Sequence, residues 1–314
     1  MAGSVSLILM LALQLDPGSL VPLYQQALKE REQEFGAGHP KAARSASDLG
    51  LYLRNIGQQE RAAAYLKQAL EINRKHLQPG SALLAEDREN LASVASPQEA
   101  LVLHLNAAEC ENAVVSARNW GKAGDLLSKG GEVMAAARAY RNALAKEEAA
   151  SGSSHPRVAV RLNDLAQIVD PKTAEPLIRR ALAIETKLLG TQNPATGVTM
   201  NNLANVLLGL GKLMEAETLA RRSLKILEST LGQRHSRVAT ASSNLASILR
   251  EKPDLAGARR FYAQALAVDE AVYGPDHPEV AVDLQNLAEV LQAMGKAQEA
   301  KQLIDRSEAI AKGR

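Results

Sequence analysis

Residues 193–233 read NPATGVTMNNLANVLLGLGKLMEAETLARRSLKILESTLGQ, and the residues that follow repeat this pattern with a period of 42. The next stretch, from His235, reads HSRVATASSNLASILREKPDLAGARRFYAQALAVDEAVYGPD. Aligned on this period, Leu203 coincides with Leu245, and a third copy places Leu287 at the same point. A fixed period of this length indicates a stacked array of short units, none of which can bury its apolar surface alone.

The composition is that of a helical protein. Hydrophobic residues make up 46% of the 314-residue chain but aromatic residues only 3%, and the chain is rich in Ala and Leu. These two residues favour helices, whereas strands are enriched in β-branched and aromatic residues. The formal net charge is +2, which disfavours nucleic acid as a partner. The single Cys110 excludes an internal disulfide, and we expect it to be a small buried residue.

The repeat divides the chain into units that each carry two helical patterns. We expect a single array of units near 1–38, 39–80, 81–112, 113–154, 155–192, 193–234, 235–276 and 277–314, with 81–112 and 113–154 degenerate. Full-length units turn between their helices at a glycine such as Gly211. Units 81–112 and 155–192 lack four residues at this point. They carry Ser96-Pro97 or Asp170-Pro171 instead, a polar cap followed by proline at the first helical position.

The N-terminal stretch 4–15 (SVSLILMLALQL) has two interpretations. It is apolar on every face, like the core of a signal peptide, yet no Lys or Arg precedes it. Residues 10–28 also align in register with residues 164–182, as expected for a structural first helix. The structural helix predicts a cytoplasmic protein, and a signal peptide in residues 1–14 predicts an exported one. No apolar run of 18 residues is present, so we expect no membrane span or membrane partner.

The pattern resembles the tetratricopeptide repeat (TPR), a helical hairpin with Leu then Ala or Gly in its first helix and two Ala positions in its second. In the 193–234 unit these positions are held by Leu203, Ala204, Leu207, Ala216, Ala220 and Leu224. The long period, the NNLA of residues 201–204 and the GPDHPEVA of residues 274–281 are similar to kinesin light chains and many bacterial repeat proteins. The resemblance implies an all-α fold, a right-handed α–α superhelix or TPR solenoid of about eight helical hairpins.

Residues that could carry chemistry are better explained by structure. His39, His155, His235 and His277 occupy equivalent positions in stacked units, roughly 8–10 Å apart per packed helix, whereas zinc ligands lie within about 2.3 Å of the ion. We therefore expect each to mark the turn before a first helix. No phosphate-binding loop and no HExxH, CxxC or GxSxG motif is present. We expect no cofactor, no metal site and no enzymatic activity.

Similarity to peptide-binding TPR proteins implies a binding surface on the first helices. Three positions of each first helix would face the concave side, namely the two before the Leu-Ala pair and the one after it. The candidate peptide-binding residues are Asn163, Asp164, Gln167, Asn201, Asn202, Asn205, Asn244, Ser247, Gln285, Asn286 and Glu289. An amide side chain can donate and accept together, which suits an extended peptide backbone. The same Asn residues could instead bond within the array and hold the next helix, and the sequence leaves both interpretations open.

The sequence therefore favours a scaffold that binds a protein or an extended peptide on its concave first-helix face. Two alternatives stay open, a self-associating structural module and a regulatory subunit of a separately encoded enzyme. A clamp for a C-terminal carboxylate is not supported, because the basic candidates Arg44, Arg54, Arg118 and Lys122 do not reproduce its pattern.

Overall fold

The computed structural model describes residues 20–313, which form fifteen α-helices and no strand. The predicted all-α repeat fold is confirmed. Contacts divide the chain into two compact units, Met1–Gly152 and Ser153–Arg314. The predicted first helix of residues 1–38 and both interpretations of residues 1–14 lie outside the described residues. Within the described part, every helix is too short or too polar to cross a bilayer.

The first unit consists of successive helical hairpins in which each helix packs against the next along the chain. Its described helices are α1 (Val21–Phe35), α2 (Pro40–Asn55), α3 (Gln59–His76), α4 (Ala82–Ala92), α5 (Pro97–Ala107), α6 (Ala113–Lys129) and α7 (Val133–Ser151). Leu49 and Leu53 are fully buried in its core. Gly50 stands where other units have Ala, and a Cβ there would lie 2.7 Å from Leu66 Cγ. Small residues at this position therefore set how closely α2 and α3 approach.

The second unit continues the same pattern and carries the most regular repeats. Its helices are α8 (Pro156–Ala166), α9 (Pro171–Leu189), α10 (Pro194–Gly209), α11 (Leu213–Leu231), α12 (Ser236–Glu251), α13 (Leu255–Tyr273), α14 (Pro278–Ala293) and α15 (Ala297–Ala311). Here α8, α10, α12 and α14 are the first helices of their hairpins, and α9, α11, α13 and α15 are the second helices. Neighbouring helices pack in chain order, and α10 also contacts α12.

The four histidines at unit starts are helix caps. The Nδ1 atoms of His39, His155, His235 and His277 each accept the backbone N–H two residues further on, at 3.1–3.2 Å. Each satisfies one of the amide groups that an N-terminus leaves without a helical partner. The predicted turn before the first helix is confirmed, and it explains why Asn193 can replace His at the same place.

Turns between the helices of a hairpin use one repeated backbone bond. In the full-length units the first residue after the turn donates its N–H five residues back, as from Lys212 to Leu207 O at 2.9 Å and from Asp254 to Leu249 O at 2.9 Å. This bond satisfies a carbonyl that the end of the helix would otherwise leave free. The predicted glycine turn is confirmed at Gly211, which has a φ of 71°.

The core of the second unit follows the Leu-Ala pairs. Leu203, Leu245 and Leu287 with their Ala neighbours are buried, together with Tyr262 and the apolar face of each second helix. On the opposite side, ion pairs join successive second helices. Lys212 Nζ lies 2.7 Å from Glu175, and Glu175 also pairs with Arg179. The arrangement fixes the first helices against one another and leaves one side of them outside the core.

Candidate functional site

The predicted residues lie along one side of the first helices, which we call the first-helix face. Burial of the Leu-Ala pair in each of these helices orients the polar positions beside it toward the edge of the core. Their exposure varies. Asn201 is only 5% exposed. Asn163, Asp164, Asn202, Asn244, Ser247 and Asn286 are half-buried, and Gln167, Asn205, Gln285 and Glu289 are exposed.

A cavity of about 740 Å³ opens on the first-helix face beside α10. Five of the predicted residues line it: Gln167, Asn201, Asn202, Asn205 and Asn244. No charged side chain lines it. The rest of the lining, which the sequence interpretation did not single out, consists of Ala166, Val169, Pro171, Ile178, Val198, Val206, Leu208, Gly209 and Thr240. The remaining predicted residues, on α8, α12 and α14, lie outside this cavity.

Two of the predicted amides bind within the array. Asn163 Nδ2 donates to Ala159 O at 3.1 Å and to Thr199 Oγ1 at 2.9 Å. Asn202 Nδ2 donates to Asn163 Oδ1 at 3.2 Å. Thr199 also bonds the Glu185 carboxyl, whose pKa is raised by burial and lowered in smaller part by this bond. Asn163 and Asn202 therefore join α8 to α10, as the structural interpretation of the Asn residues expects.

Asn201 differs from its counterparts in the neighbouring units. Asn163 donates to Thr199, and at the equivalent place Ser243 Oγ donates to Asp283 Oδ1 at 3.2 Å. The residue of α12 that corresponds to Thr199 is Ala241, which offers no polar side-chain atom. Asn201 Oδ1 is accordingly buried without a hydrogen-bond partner among the described residues. A buried acceptor left unpaired costs roughly 1–3 kcal/mol, so Asn201 lowers the stability of the fold at this position.

The other amides of the face have no hydrogen-bond partner in the described part of the chain. Within residues 20–313, the side chains of Asn205, Asn244 and Asn286 form no hydrogen bond, and neither do those of Gln167 and Gln285. Each therefore has a free donor and a free acceptor.

The remaining three candidates have partners inside the protein. Arg161 Nη1 lies 2.9 Å from Asp164 Oδ2, Ser247 Oγ lies 2.8 Å from the Tyr262 hydroxyl, and Arg250 pairs with Glu289. Use of these residues by a ligand would require each of them to exchange a partner.

A pair of buried carboxyl groups, which the sequence interpretation missed, joins α13 to α14. Asp269 and Asp283 are 9% and 5% exposed and interact with each other, and neither Asp269 Oδ1 nor Asp283 Oδ2 has a hydrogen-bond donor in the described part of the chain. Burial first, and then the negative charge of Asp269, raises the pKa of Asp283 to about 7, while the bond from Ser243 opposes this. Burial also raises the pKa of Asp269, with a smaller contribution from Glu279 and an opposing one from His277. The pair therefore holds a shared proton near neutral pH.

In the first unit, the equivalent contact between a second helix and the next first helix pairs one carboxyl group with an amide. Asn73 and Asp87 occupy the positions of Asp269 and Asp283, counted from their unit starts. Asn73 Nδ2 donates to Asp87 Oδ2 at 2.7 Å. An amide there supplies the proton that two carboxylates must share. The repeat register is the signal that could have identified the acidic pair from the sequence.

The chemistry available on the first-helix face is that of binding. Its cavity offers amide donors and acceptors over an apolar floor. In the part of the chain that the structure describes, no three His, Cys, Asp or Glu side chains are grouped so as to hold a metal ion. Cys110 is buried, as predicted, and burial raises the pKa of its thiol.

Comparison with known families gives a match over more than half of the chain. The family profile described as tetratricopeptide repeat matches residues 7–75, 169–229 and 237–313. A comparison with curated proteins found no match.

Solved structures with the same fold include kinesin-light-chain-like repeat proteins. BtubC (BKLC) from P. vanneervenii is 23% identical, covers 73% of this chain and 87% of its own, and superposes with a TM-score of 0.55. A putative kinesin light chain from Podosopora anserina, with nearly identical TPR-like repeats, is 22% identical, covers 64% and 97%, and has a TM-score of 0.53. A Rap protein complexed with Competence and Sporulation Factor is 14% identical, covers 87% and 77%, and has a TM-score of 0.62.

Proposed function

We propose, starting from the fact that this chain belongs to the tetratricopeptide repeat family, that it binds an extended peptide segment of a partner on its first-helix face. TPR arrays are protein-interaction scaffolds, and the kinesin-light-chain-like fold of this chain agrees with that class. The face used is the concave one that the resemblance implies. Binding combines hydrogen bonds from the peptide main chain to side-chain amides with local pockets for peptide side chains.

The observation that carries this proposal is the amide-lined cavity beside α10. Asn205 and Asn244 line it with their hydrogen-bonding groups free, and Asn201 adds a buried acceptor without a donor. A purely structural role would leave these groups paired, as it does for Asn163 and Asn202. Unpaired amides around an apolar floor match a ligand that alternates peptide groups with side chains.

A solved structure with the same fold holds a bound partner. The Rap protein named above shares the fold and is complexed with Competence and Sporulation Factor. A helical repeat array of this kind can therefore hold a partner. The residues of the first-helix face determine which ligand this chain binds.

The test is selection of random displayed peptides on the full chain, followed by affinity measurements with synthetic versions of the enriched peptides. The double variant Asn205→Ala/Asn244→Ala removes two free amides, each worth about 0.5–1.5 kcal/mol when bonded, so affinity should fall by about fivefold to a hundredfold or more. The matched control Gln298→Ala/Gln302→Ala removes two exposed amides from the second helix α15 and should bind as the wild type does.

The alternatives predict other outcomes. Enriched peptides that bind the double variant and the wild type equally would contradict a site on the first-helix face. A self-associating module would show an oligomer that grows with concentration in sedimentation, and peptides would not be enriched through Asn205 and Asn244. Melting temperatures should be nearly unchanged in both double variants, since none of the four side chains has a partner in the described part of the chain.

A further inference from the structure

We infer that the four-residue shortening of the 155–192 unit builds a pocket for one large apolar side chain of the bound peptide. The peptide N–H group next to that side chain donates to Asn201 Oδ1. This inference rests on the proposed function and specifies the ligand class, an uncharged stretch of extended peptide with an apolar anchor.

The shortening uncovers half of a neighbouring helix. α8 has 11 residues, whereas α10, α12 and α14 have 16 each. Its chain turns at Asp170 and enters α9 at Pro171, where the full-length units would continue the first helix. The C-terminal half of α10 therefore lacks the cover that a longer α8 would provide. Asn205, Val206, Leu208 and Gly209 of that half line the cavity, together with the α8–α9 turn.

The turn itself forms the wall of the cavity. Pro171 Cγ lies 3.1 Å from the position that a Cβ on Gly209 would take, so the two residues meet at the cavity edge. Val169 and Gln167 extend this wall along the turn. The residues that replaced the missing helical turn are thus the residues that shape the opening.

The lining residues disfavour a charged group of the ligand. None of the lining residues is ionisable, and the floor is formed by Ile178, Val198 and Val206. A carboxylate, phosphate or ammonium group placed there would lose its water without gaining an opposite charge, which costs far more than burying an apolar group. A volume of about 740 Å³ lies within the usual range of ligand pockets and exceeds that of a single side chain. The favoured occupant is an aliphatic or aromatic side chain with part of its flanking backbone.

Asn201 supplies the polar contact of this pocket. Its Oδ1 has no donor because Ala241 stands where α10 offers Thr199 and α14 offers Asp283. The Asn201 residue is 95% buried and lines the cavity, and rotation of its amide brings the closed-off Oδ1 to an N–H group that enters with the ligand. The peptide N–H next to the anchor residue is such a donor, which places the anchor and Asn201 side by side.

Two variants of the full chain test the pocket with the peptides enriched on the wild type. The first replaces residues 167–173 by a copy of residues 205–215, which restores the four missing residues and extends α8 over the cavity. The second is Asn201→Leu, which keeps the branching at Cγ and removes the acceptor. We expect about ten- to a hundredfold weaker binding for the first variant and about tenfold weaker binding for the second. Asn201→Leu should also melt at the same or a higher temperature, because an unpaired buried group is lost.

An alanine scan of each enriched peptide identifies the anchor independently. One aliphatic or aromatic residue should dominate, with a loss of roughly ten- to a hundredfold when it becomes Ala. If the first variant fails to fold, Asn201→Leu and this alanine scan still test whether the pocket binds an apolar anchor residue. Wild-type affinity in Asn201→Leu, or a charged anchor, would overturn the inference. If that occurs while Asn205→Ala/Asn244→Ala still loses affinity, the proposed function stands and only the pocket fails.

Discussion

Replacing Asp283 by Asn should make the second unit more stable at neutral and alkaline pH, and by an amount that depends on pH. Asp283 and Asp269 are both buried where α13 meets α14, and they hold one proton between them. At the same junction of the first unit, Asn73 faces Asp87 and no proton has to be shared. The substitution introduces an amide into the second junction and removes the carboxyl group whose pKa is raised to about 7.

The size of the effect follows from the pKa of Asp283, which rises from an ordinary 3.8 to about 7 in the folded protein. Between about pH 4 and pH 7 the unfolded chain has lost a proton that the folded chain keeps, so stability falls as the pH rises. The slope is at most about 1.36 kcal/mol per pH unit, so about 4 kcal/mol across the window is an upper bound that solvent screening reduces. The contribution is fully present below about pH 4 and fully lost above the folded pKa. The amide introduced by Asp283→Asn does not titrate, so the variant escapes this loss.

The assay is urea unfolding of the full chain followed by circular dichroism, at several pH values from about 4.5 to 8. The stability of Asp283→Asn minus that of the wild type should increase by a few kcal/mol, at most about 4, across this range. Asp305→Asn, at an exposed aspartate on α15, is the matched control for replacing one aspartate by asparagine. A flat difference for Asp283→Asn would refute the shared proton.

Three further predictions concern the packing and the turns, and all are read from urea midpoints. Gly124→Ala should destabilise the first unit by about 1–3 kcal/mol, because the new Cβ would lie 2.6 Å from the Tyr140 ring. The Tyr140 hydroxyl donates to Asp125 and holds the ring in place. A neutral result would mean that the ring can move. Gly232→Ala should cost about 1–3 kcal/mol, since Gly232 ends α11 with φ 82° and ψ 159°, a region that only glycine occupies readily; a stabilised variant would contradict this conformation. Asn112→Ala should cost about 1 kcal/mol, because its side chain accepts two backbone N–H groups at the start of α6; no loss would show that water replaces the cap.

The hairpins could be predicted from the sequence because the repeat period gives their register. A period of 42 with buried Leu-Ala pairs fixes which face of each first helix is internal, and the structure confirms this at Leu203, Leu245 and Leu287. The histidine caps were predictable for a similar reason. Their spacing ruled out a shared metal ion and placed them just before proline or serine at a helix start.

The division of the Asn residues between structure and binding could not be predicted in the same way. Asn163 and Asn201 occupy one repeat position, and only the neighbouring residue on the next helix, Thr199 or Ala241, decides whether the amide is paired. That neighbour lies 36 or 40 residues away, so the pairing depends on how successive units pack. The cavity could not be predicted from the sequence for the same reason. The missing four residues were visible in the sequence, but their effect on α10 required the packing of two units.

The proposal that free amides of the first-helix face bind a peptide is tested most directly by nuclear magnetic resonance of side-chain amides. The full chain, labelled with ¹⁵N, is titrated with an enriched peptide, and each Asn or Gln signal is assigned from a single substitution. We predict that the side-chain signals of Asn201, Asn205 and Asn244 shift together and saturate, while those of Gln298 and Gln302 on α15 stay in place. Shifts confined to Gln298 and Gln302, or to the second helices generally, would contradict it.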